Sequence, residues 1–181
     1  YWERLETGEL TREQVMLGRF HEFFESEGLP TDQVKVFNDE YQIRLGDKAF
    51  FCDHGDELVK QLKATVKQYA VTNGTTVAQE RKLRFSGLDQ LLDGVFISEQ
   101  VGVDKPQKAF FDAVWNEIGS YAPDEVVIVG DSLTSDIRGG KNAGILTCWY
   151  NPDHLPNKIE VTPDCTIDNL QDILSYLDES R

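Results

Sequence analysis

Apolar positions change their period once along this chain. Before about residue 50 they recur at helical spacing. Val15, Met16, Phe20, Phe23 and Phe24 share one face, and Val34, Phe37, Tyr41 and Leu45 share another. Thr11 followed by Gln14 predicts a capping box at the start of the first helix, and Gly28 predicts its C′ stop. The second helix is expected to end near Gly46. From about Asp53, short β-branched runs alternate with amphipathic stretches. Strands are predicted over 68–72, 94–98, 126–129, 145–149 and 165–167. Between them lie helices carrying Leu58, Val59 and Leu62, then residues 76–86 ending at Gly87, then Phe110, Val114 and Ile118, and finally Leu170, Ile173, Leu174 and Leu177. Pro106 stands where N1 of the third of these is expected. The run at 126–129 predicts a strand buried on both faces. Such alternation predicts an α/β fold with a doubly wound parallel sheet, over 53–181, and a purely helical region over 1–52.

Length adds that 181 residues suffice for one well-buried core with a small appendage. No apolar run approaches the length of a bilayer span, so no membrane partner is expected. Cys52, Cys148 and Cys165 are odd in number and lack metal-type spacing, which points to a reduced, cytoplasmic setting. The net charge of −14 repels phosphate backbones and argues against a nucleic-acid polymer as partner. A small phosphorylated substrate remains compatible, because local cations and a divalent metal can reverse the field inside one pocket.

Parallel sheets bind ligands at the carboxyl ends of their strands. The first such end carries Thr72-Asn73-Gly74-Thr75, a hydroxyl, an amide and a glycine at a helix entry. That composition suits an anion, and it also suits an ordinary capped turn. The second is followed by Lys105-Pro106, which places a cation at the sheet rim, or simply a solvated lysine. The third carries Gly130-Asp131-Ser132-Leu133-Thr134-Ser135-Asp136. A carboxylate closing a buried strand is costly unless paired or metal-bound. Asp136, one turn on, can face the same site. Two hard oxygen donors suit Mg²⁺, whereas helix capping would explain Ser132 or Thr134 but not Asp131. Anion cradle, cation and metal ligand around one crevice are the parts phosphoryl transfer needs.

These segments resemble the motifs of haloacid-dehalogenase-like hydrolases. Val71-Thr72-Asn73-Gly74 is similar to motif II, Lys105-Pro106 to motif III, and Gly130 through Asp136 to motif IV. The similarity runs on through Ile137 to Gly144 and into Trp149-Tyr150-Asn151-Pro152. The helical start, with Gly8-Glu9-Leu10-Thr11-Arg12-Glu13, resembles the α-helical cap of the subgroup that dephosphorylates nucleoside monophosphates. The resemblance implies that Thr72 and Lys105 bind the transferring phosphoryl group, helped by Asn73 and Gly74. It implies Asp131 as a direct Mg²⁺ ligand and Asp136 as the residue orienting the metal's waters or Lys105. The implied activity is Mg²⁺-dependent hydrolysis of a phosphomonoester, a nucleoside 5′-monophosphate, through an aspartyl-phosphate.

One motif of that family is missing. No Asp-x-Asp segment occurs in these residues, and with it go the nucleophile and the general acid-base. In the resembling family this segment follows a central strand between those ending at Thr72 and at Gly130. The expectation is that it lies upstream of Tyr1, that residues 1–52 are part of a cap, and that residues 53–181 are a core lacking its first strand and inactive alone. Two rival readings remain: a sugar-phosphate phosphatase or mutase of the same superfamily, and a non-catalytic phosphate- or metal-binding module. Trp2 and the phenylalanines at helical spacing could stack on a base, though such rings more often form core.

Overall fold

The computed structural model describes residues 1–119 and 121–179. Ser120, Ser180 and Arg181 lie outside the described residues, so the ends of the expected α/β region are described only to residue 179.

The chain opens with three helices, α1 (Trp2–Glu6), α2 (Arg12–Ser26) and α3 (Val34–Gly46). The capping box forms as the residues dictate. Gln14 N donates to Thr11 Oγ1 at 3.2 Å and Thr11 N donates to Gln14 Oε1 at 2.8 Å. Phe20 and Phe24 of α2 meet Phe37 and Tyr41 of α3 edge to face, with centroids 5.0 to 5.2 Å apart. This aromatic seam holds the two helices together, and Phe23, 49% exposed, falls outside it. Gly46 is the last helical residue of α3 rather than a left-handed stop. A Cβ there would come within 2.5 Å of the Arg81 Cβ, so its size lets α3 lie against the helix that carries Arg81.

The rest alternates. α4 (Gly55–Leu62) leads into β1 (Tyr69–Thr72), α5 (Thr76–Ser86), β2 (Gly94–Ile97), the short α6 (Ser98–Val101) and α7 (Lys108–Ile118). Then come β3 (Val127–Gly130), a π-helical turn over Leu133–Ile137 running into α8 (Arg138–Ala143), β4 (Leu146–Tyr150), β5 (Cys165–Ile167) and α9 (Ile173–Glu179). Every strand pair is parallel. β1 pairs with β2, Tyr69 opposite Gly94 and Thr72 opposite Ile97. β3 pairs with β4 and β4 with β5, with Cys148 opposite Cys165.

Helices cover both faces of the β3–β4–β5 sheet, as the alternation predicts. On one face Phe110, Phe111 and Val114 of α7 pack with Ile128 and Ile145, and Val71 and Phe96 from the other sheet join the same cluster. On the opposite face Leu58 of α4 and Ile173 of α9 pack on Cys148 and Ile167. Glycines bring α8 down onto this layer: a Cβ at Gly140 would lie 2.5 Å from Ile128 and 2.6 Å from Thr147 side-chain atoms.

Among the described residues, β1–β2 and β3–β4–β5 form separate sheets, and β1 and β3 each have one unpaired edge. Two expectations need correction. The strand at 126–129 is not buried throughout. Val129 is 39% exposed, on a strand whose free edge no other strand among the described residues covers. Pro106 is not N1; α7 starts at Lys108 with Gln107 as its cap, which places Pro106 one residue outside. Among the described residues, no helix is long and apolar enough to cross a membrane.

Candidate active site

Lys105 lies at the centre of the site, 4% exposed. Its Nζ donates to the Val71 carbonyl at 2.8 Å and to Asp136 Oδ1 at 2.6 Å. Val71 belongs to β1 and Asp136 to the turn after β3, so the ammonium spans the gap between the two sheets. A buried lysine needs such partners. An ammonium has three N–H donors, so one is left over for a ligand.

Asn73 positions this lysine. Its Oδ1 accepts from the Lys105 amide at 2.9 Å and its Nδ2 donates to the Lys105 carbonyl at 2.8 Å. Both ends of the Asn73 amide thus hold Lys105, and one N–H of its side chain remains. The Lys105–Pro106 peptide is cis, and Asn142 Nδ2 donates to the Pro106 carbonyl at 2.8 Å.

The turn after β1 is also more occupied than its sequence suggests. Gly74 N donates to Thr72 Oγ1 at 3.1 Å, Thr76 N to Glu99 Oε2 at 2.7 Å, and Ala78 N to the capping Thr75 hydroxyl at 3.4 Å. An anion here would meet chiefly the Thr72 hydroxyl and the Lys105 ammonium. A Cβ at Gly74 would fall 2.3 Å from Gln79 Nε2, so a larger residue there would have to displace that side chain.

After β3 the chain makes a wide turn. The amides of Asp136 and Ile137 both donate to the Ser132 carbonyl, at 2.9 and 3.1 Å. Such π-type turns recur at functional sites. Asp136 is buried, with Oδ2 accepting from Ser132 N at 3.2 Å. It presses on Gly130, where a Cβ would lie 2.3 Å from Oδ2, so only glycine fits. Asp131, in contrast, is exposed just beyond the strand. Burial therefore does not explain this carboxylate. Its carbonyl accepts from Trp149 Nε1 at 3.0 Å, while among the described residues its carboxylate has no hydrogen-bond or ion-pair partner. No group of three or more His, Cys, Asp or Glu side chains that could hold a metal occurs among the described residues. One free carboxylate beside a phosphate site still fits Mg²⁺, which takes one or two carboxylates and completes its shell with water and phosphate oxygens.

Two residues of the N-terminal helices reach this site, and sequence reasoning missed both. Arg12 is N1 of α2. Its Nη1 donates to the carbonyls of Asn73, at 2.9 Å, and Gly74, at 3.3 Å, and its Nη2 meets Ser98 Oγ and the Asp104 carboxylate. It therefore holds the turn after β1 and the residue before Lys105 at once. A cation at a helix start opposes the helix dipole, and this local conflict was the signal available in the sequence. Glu6 of α1 faces Thr134 and Ser135. Burial is the largest effect on its carboxyl and pushes its pKa up, and the two hydroxyls oppose that. Gln42 of α3 adds a third tie, accepting from the Thr75 hydroxyl at 2.8 Å. A cleft of about 600 Å³ lined by Tyr69, Phe96, Val101 and Glu117 contains none of these residues and lies against β2 instead.

The comparisons with known proteins agree with this geometry. The family model for haloacid dehalogenase-like hydrolase matches residues 1–144. The HAD-hydrolase YfnB of Bacillus subtilis is 35% identical over 176 residues, 97% of this chain and 74% of that protein. Two pyrimidine 5′-nucleotidases are similar over nearly the whole chain. PynA of Streptococcus pneumoniae is 34% identical over 99% of this chain and 76% of its own length. YjjG of Escherichia coli is 31% identical over 97% of this chain and 77% of its own length. The crystal structure of YfnB bound to magnesium superposes with a TM-score of 0.91 over 98% of this chain and 77% of that one. The chain belongs to the haloacid dehalogenase-like hydrolases.

Proposed function

We propose that these residues form the phosphate-binding half of a Mg²⁺-dependent phosphomonoesterase acting on nucleoside 5′-monophosphates. The observation that carries this reading is Lys105. It is a buried ammonium with a spare donor, held by Asn73 and Asp136 where the carboxyl ends of β1 and β3 face each other. Thr72 and Lys105 bind the transferring phosphoryl group, and Gly74 allows the close turn beside it. Asp131 is the Mg²⁺ ligand, and Asp136 fixes Lys105. Magnesium would supply charge neutralisation on the phosphate oxygens. Helices α1 to α3 act as a cap over the substrate, which fits their three ties to the core through Arg12, Glu6 and Gln42. Nucleotides are favoured over sugar phosphates because two relatives at 34% and 31% identity are pyrimidine 5′-nucleotidases.

The attacking carboxylate and the acid-base are not among these residues, since the sequence holds no Asp-x-Asp. The unpaired edges of β1 and β3 could each pair with a strand bearing them. There the first carboxylate attacks phosphorus as the ester P–O bond breaks, the second protonates the leaving alcohol, and water then cleaves the aspartyl-phosphate. The test is phosphate release from a panel of phosphomonoesters with Mg²⁺. Residues 1–181 alone should release none, and the same residues joined to a strand carrying Asp-x-Asp should turn over nucleotides in preference to sugar phosphates. Turnover by residues 1–181 alone would refute this account of the nucleophile, and a preference for sugar phosphates would refute the substrate.

A further inference from the structure

The peptide joining Asp131 to Ser132 is held at both of its polar ends by side chains. Its carbonyl accepts from Trp149 Nε1 at 3.0 Å, and its N–H donates to Asp136 Oδ2 at 3.2 Å. A peptide unit is planar, so two bonds to its opposite edges fix its orientation as one body. The ψ of Asp131 and the φ of Ser132 are set together.

The Asp131 side chain has no restraint of its own. It is exposed, and among the described residues its carboxylate has no hydrogen-bond or ion-pair partner. Only two rotatable bonds separate that carboxylate from the main chain, so the backbone decides where it can stand.

Sheet register places Trp149 for this contact. It lies directly opposite Gly130 in the β3–β4 ladder, one residue before Asp131. Cys148 and Tyr150 pack on the face covered by α4 and α9. By alternation Trp149 turns to the other face, where Thr147 meets Gly140 of α8. The ring is 7% exposed, and a buried indole N–H needs an acceptor. Any carbonyl would satisfy it. The one it takes belongs to the peptide that Asp136 holds from the other side, and Asp136 also accepts from Lys105 at 2.6 Å. A single run of bonds thus joins the ammonium, Asp136, the 131–132 peptide and the indole.

Resting on the reading of Asp131 as the Mg²⁺ ligand, we infer that Trp149 is a positioning residue for the metal. Its indole N–H, acting with Asp136, holds the Asp131 carboxylate in the orientation that takes the cation. It adds nothing to the grip on phosphate, which belongs to Thr72 and Lys105. Partners that orient metal ligands are worth about 10- to 100-fold in affinity, and one neutral hydrogen bond belongs at the lower end.

The test follows backbone and indole N–H signals of residues 1–181 by NMR, with Mg²⁺ and inorganic phosphate titrated separately. In the parent, Mg²⁺ should shift the Trp149 indole signal and leave that of Trp115, on α7, in place. Trp149→Phe keeps an aromatic ring and removes the N–H. It should weaken Mg²⁺ about tenfold, read on the Asp131 and Ser132 amides, and leave phosphate within about twofold. Thr147→Val loosens the same strand by breaking the 2.8 Å bond from its hydroxyl to Asp164. It should lower the Tm and leave Mg²⁺ affinity within about twofold. Equal loss of Mg²⁺ and phosphate in a folded Trp149→Phe, unchanged Mg²⁺ affinity, or an equal loss of Mg²⁺ in Thr147→Val would overturn the role of Trp149. If Trp149→Phe does not fold, the parent decides. A Trp149 indole signal that follows Mg²⁺ supports the role, and one that stays in place while the Ser132 amide shifts overturns it. A parent that binds phosphate but not Mg²⁺ would remove the metal reading of Asp131 and this inference with it. A parent that binds neither would remove the phosphate site as well.

Discussion

Replacing Lys105 by methionine isolates the central ion pair. The two side chains are 5% and 12% exposed and their charged atoms are 2.6 Å apart, so neither has bulk water to fall back on. Methionine preserves most of the lysine volume. It leaves the Asp136 carboxylate facing only the Ser132 amide, and leaves the Val71 carbonyl without its ammonium. Breaking a buried pair from one side costs about 3–5 kcal/mol, because the remaining charge stays buried and uncompensated. In a domain of this size that corresponds to a Tm lower by roughly 6–20 °C. Urea unfolding followed by far-UV circular dichroism gives the difference directly. The double variant Lys105→Met with Asp136→Leu removes both charges and should recover most of the loss, since apolar replacement of a whole pair is often neutral or better. A single variant within about 1 kcal/mol of the parent would refute the reasoning, as would a double variant no more stable than the single.

Three further outcomes follow from contacts described above. Arg12→Ala should cost about 2 kcal/mol, the worth of hydrogen bonds made by a charged group. It should raise amide exchange in α1 and α2 far more than in α7, and equal exchange everywhere would show that Arg12 does not tie the helices to the core. The Tyr150 hydroxyl donates to Asp53 at 2.8 Å, and this bond, ahead of burial, pushes the phenol from 10.0 up to about 12. A pKa raised in the folded state favours the protonated form. The stability it contributes is complete below pH 10 and is lost as pH rises towards about 12. Tyr150→Phe should flatten that part of the stability profile, and an identical alkaline decline in both proteins would refute the assignment. Finally, burial raises the thiol pKa of Cys148 and Cys165, and the hydrogen bond that Cys148 donates to Cys165 raises that of Cys148 further, whereas Cys52 is exposed. Iodoacetamide should add one label to the native protein and three in urea, read by intact mass.

Much of this molecule was legible in the residues because local rules and tertiary structure agree there. The capping box at Thr11, the β-branched run before Gly130 and the strand ending at Thr72 all report themselves. What escaped reading depends on approach between distant segments. That Asn73 uses both amide atoms on Lys105, 32 residues away, cannot be inferred from a turn-like tetrapeptide. Nor can the exposure of Asp131, because a strand with a free edge looks in sequence like one paired on both sides. Gly46 and Gly130 illustrate the same point. Each reads as punctuation, yet each is fixed by what packs on it, Arg81 in one case and the Asp136 carboxylate in the other. Arg12 left one faint trace, a cation where a helix prefers an anion.

The gap between the sheets has a consequence for assembly order. Lys105 Nζ lies between β1 and the turn after β3 and holds a backbone acceptor of β1. A strand entering that space would compete with the lysine for that acceptor. A ladder bond to the Val71 carbonyl would release one donor of the ammonium towards the mouth of the site. Closing the sheet would then add to the donor already spare, so the cation's grip on phosphate would strengthen as the fold became continuous.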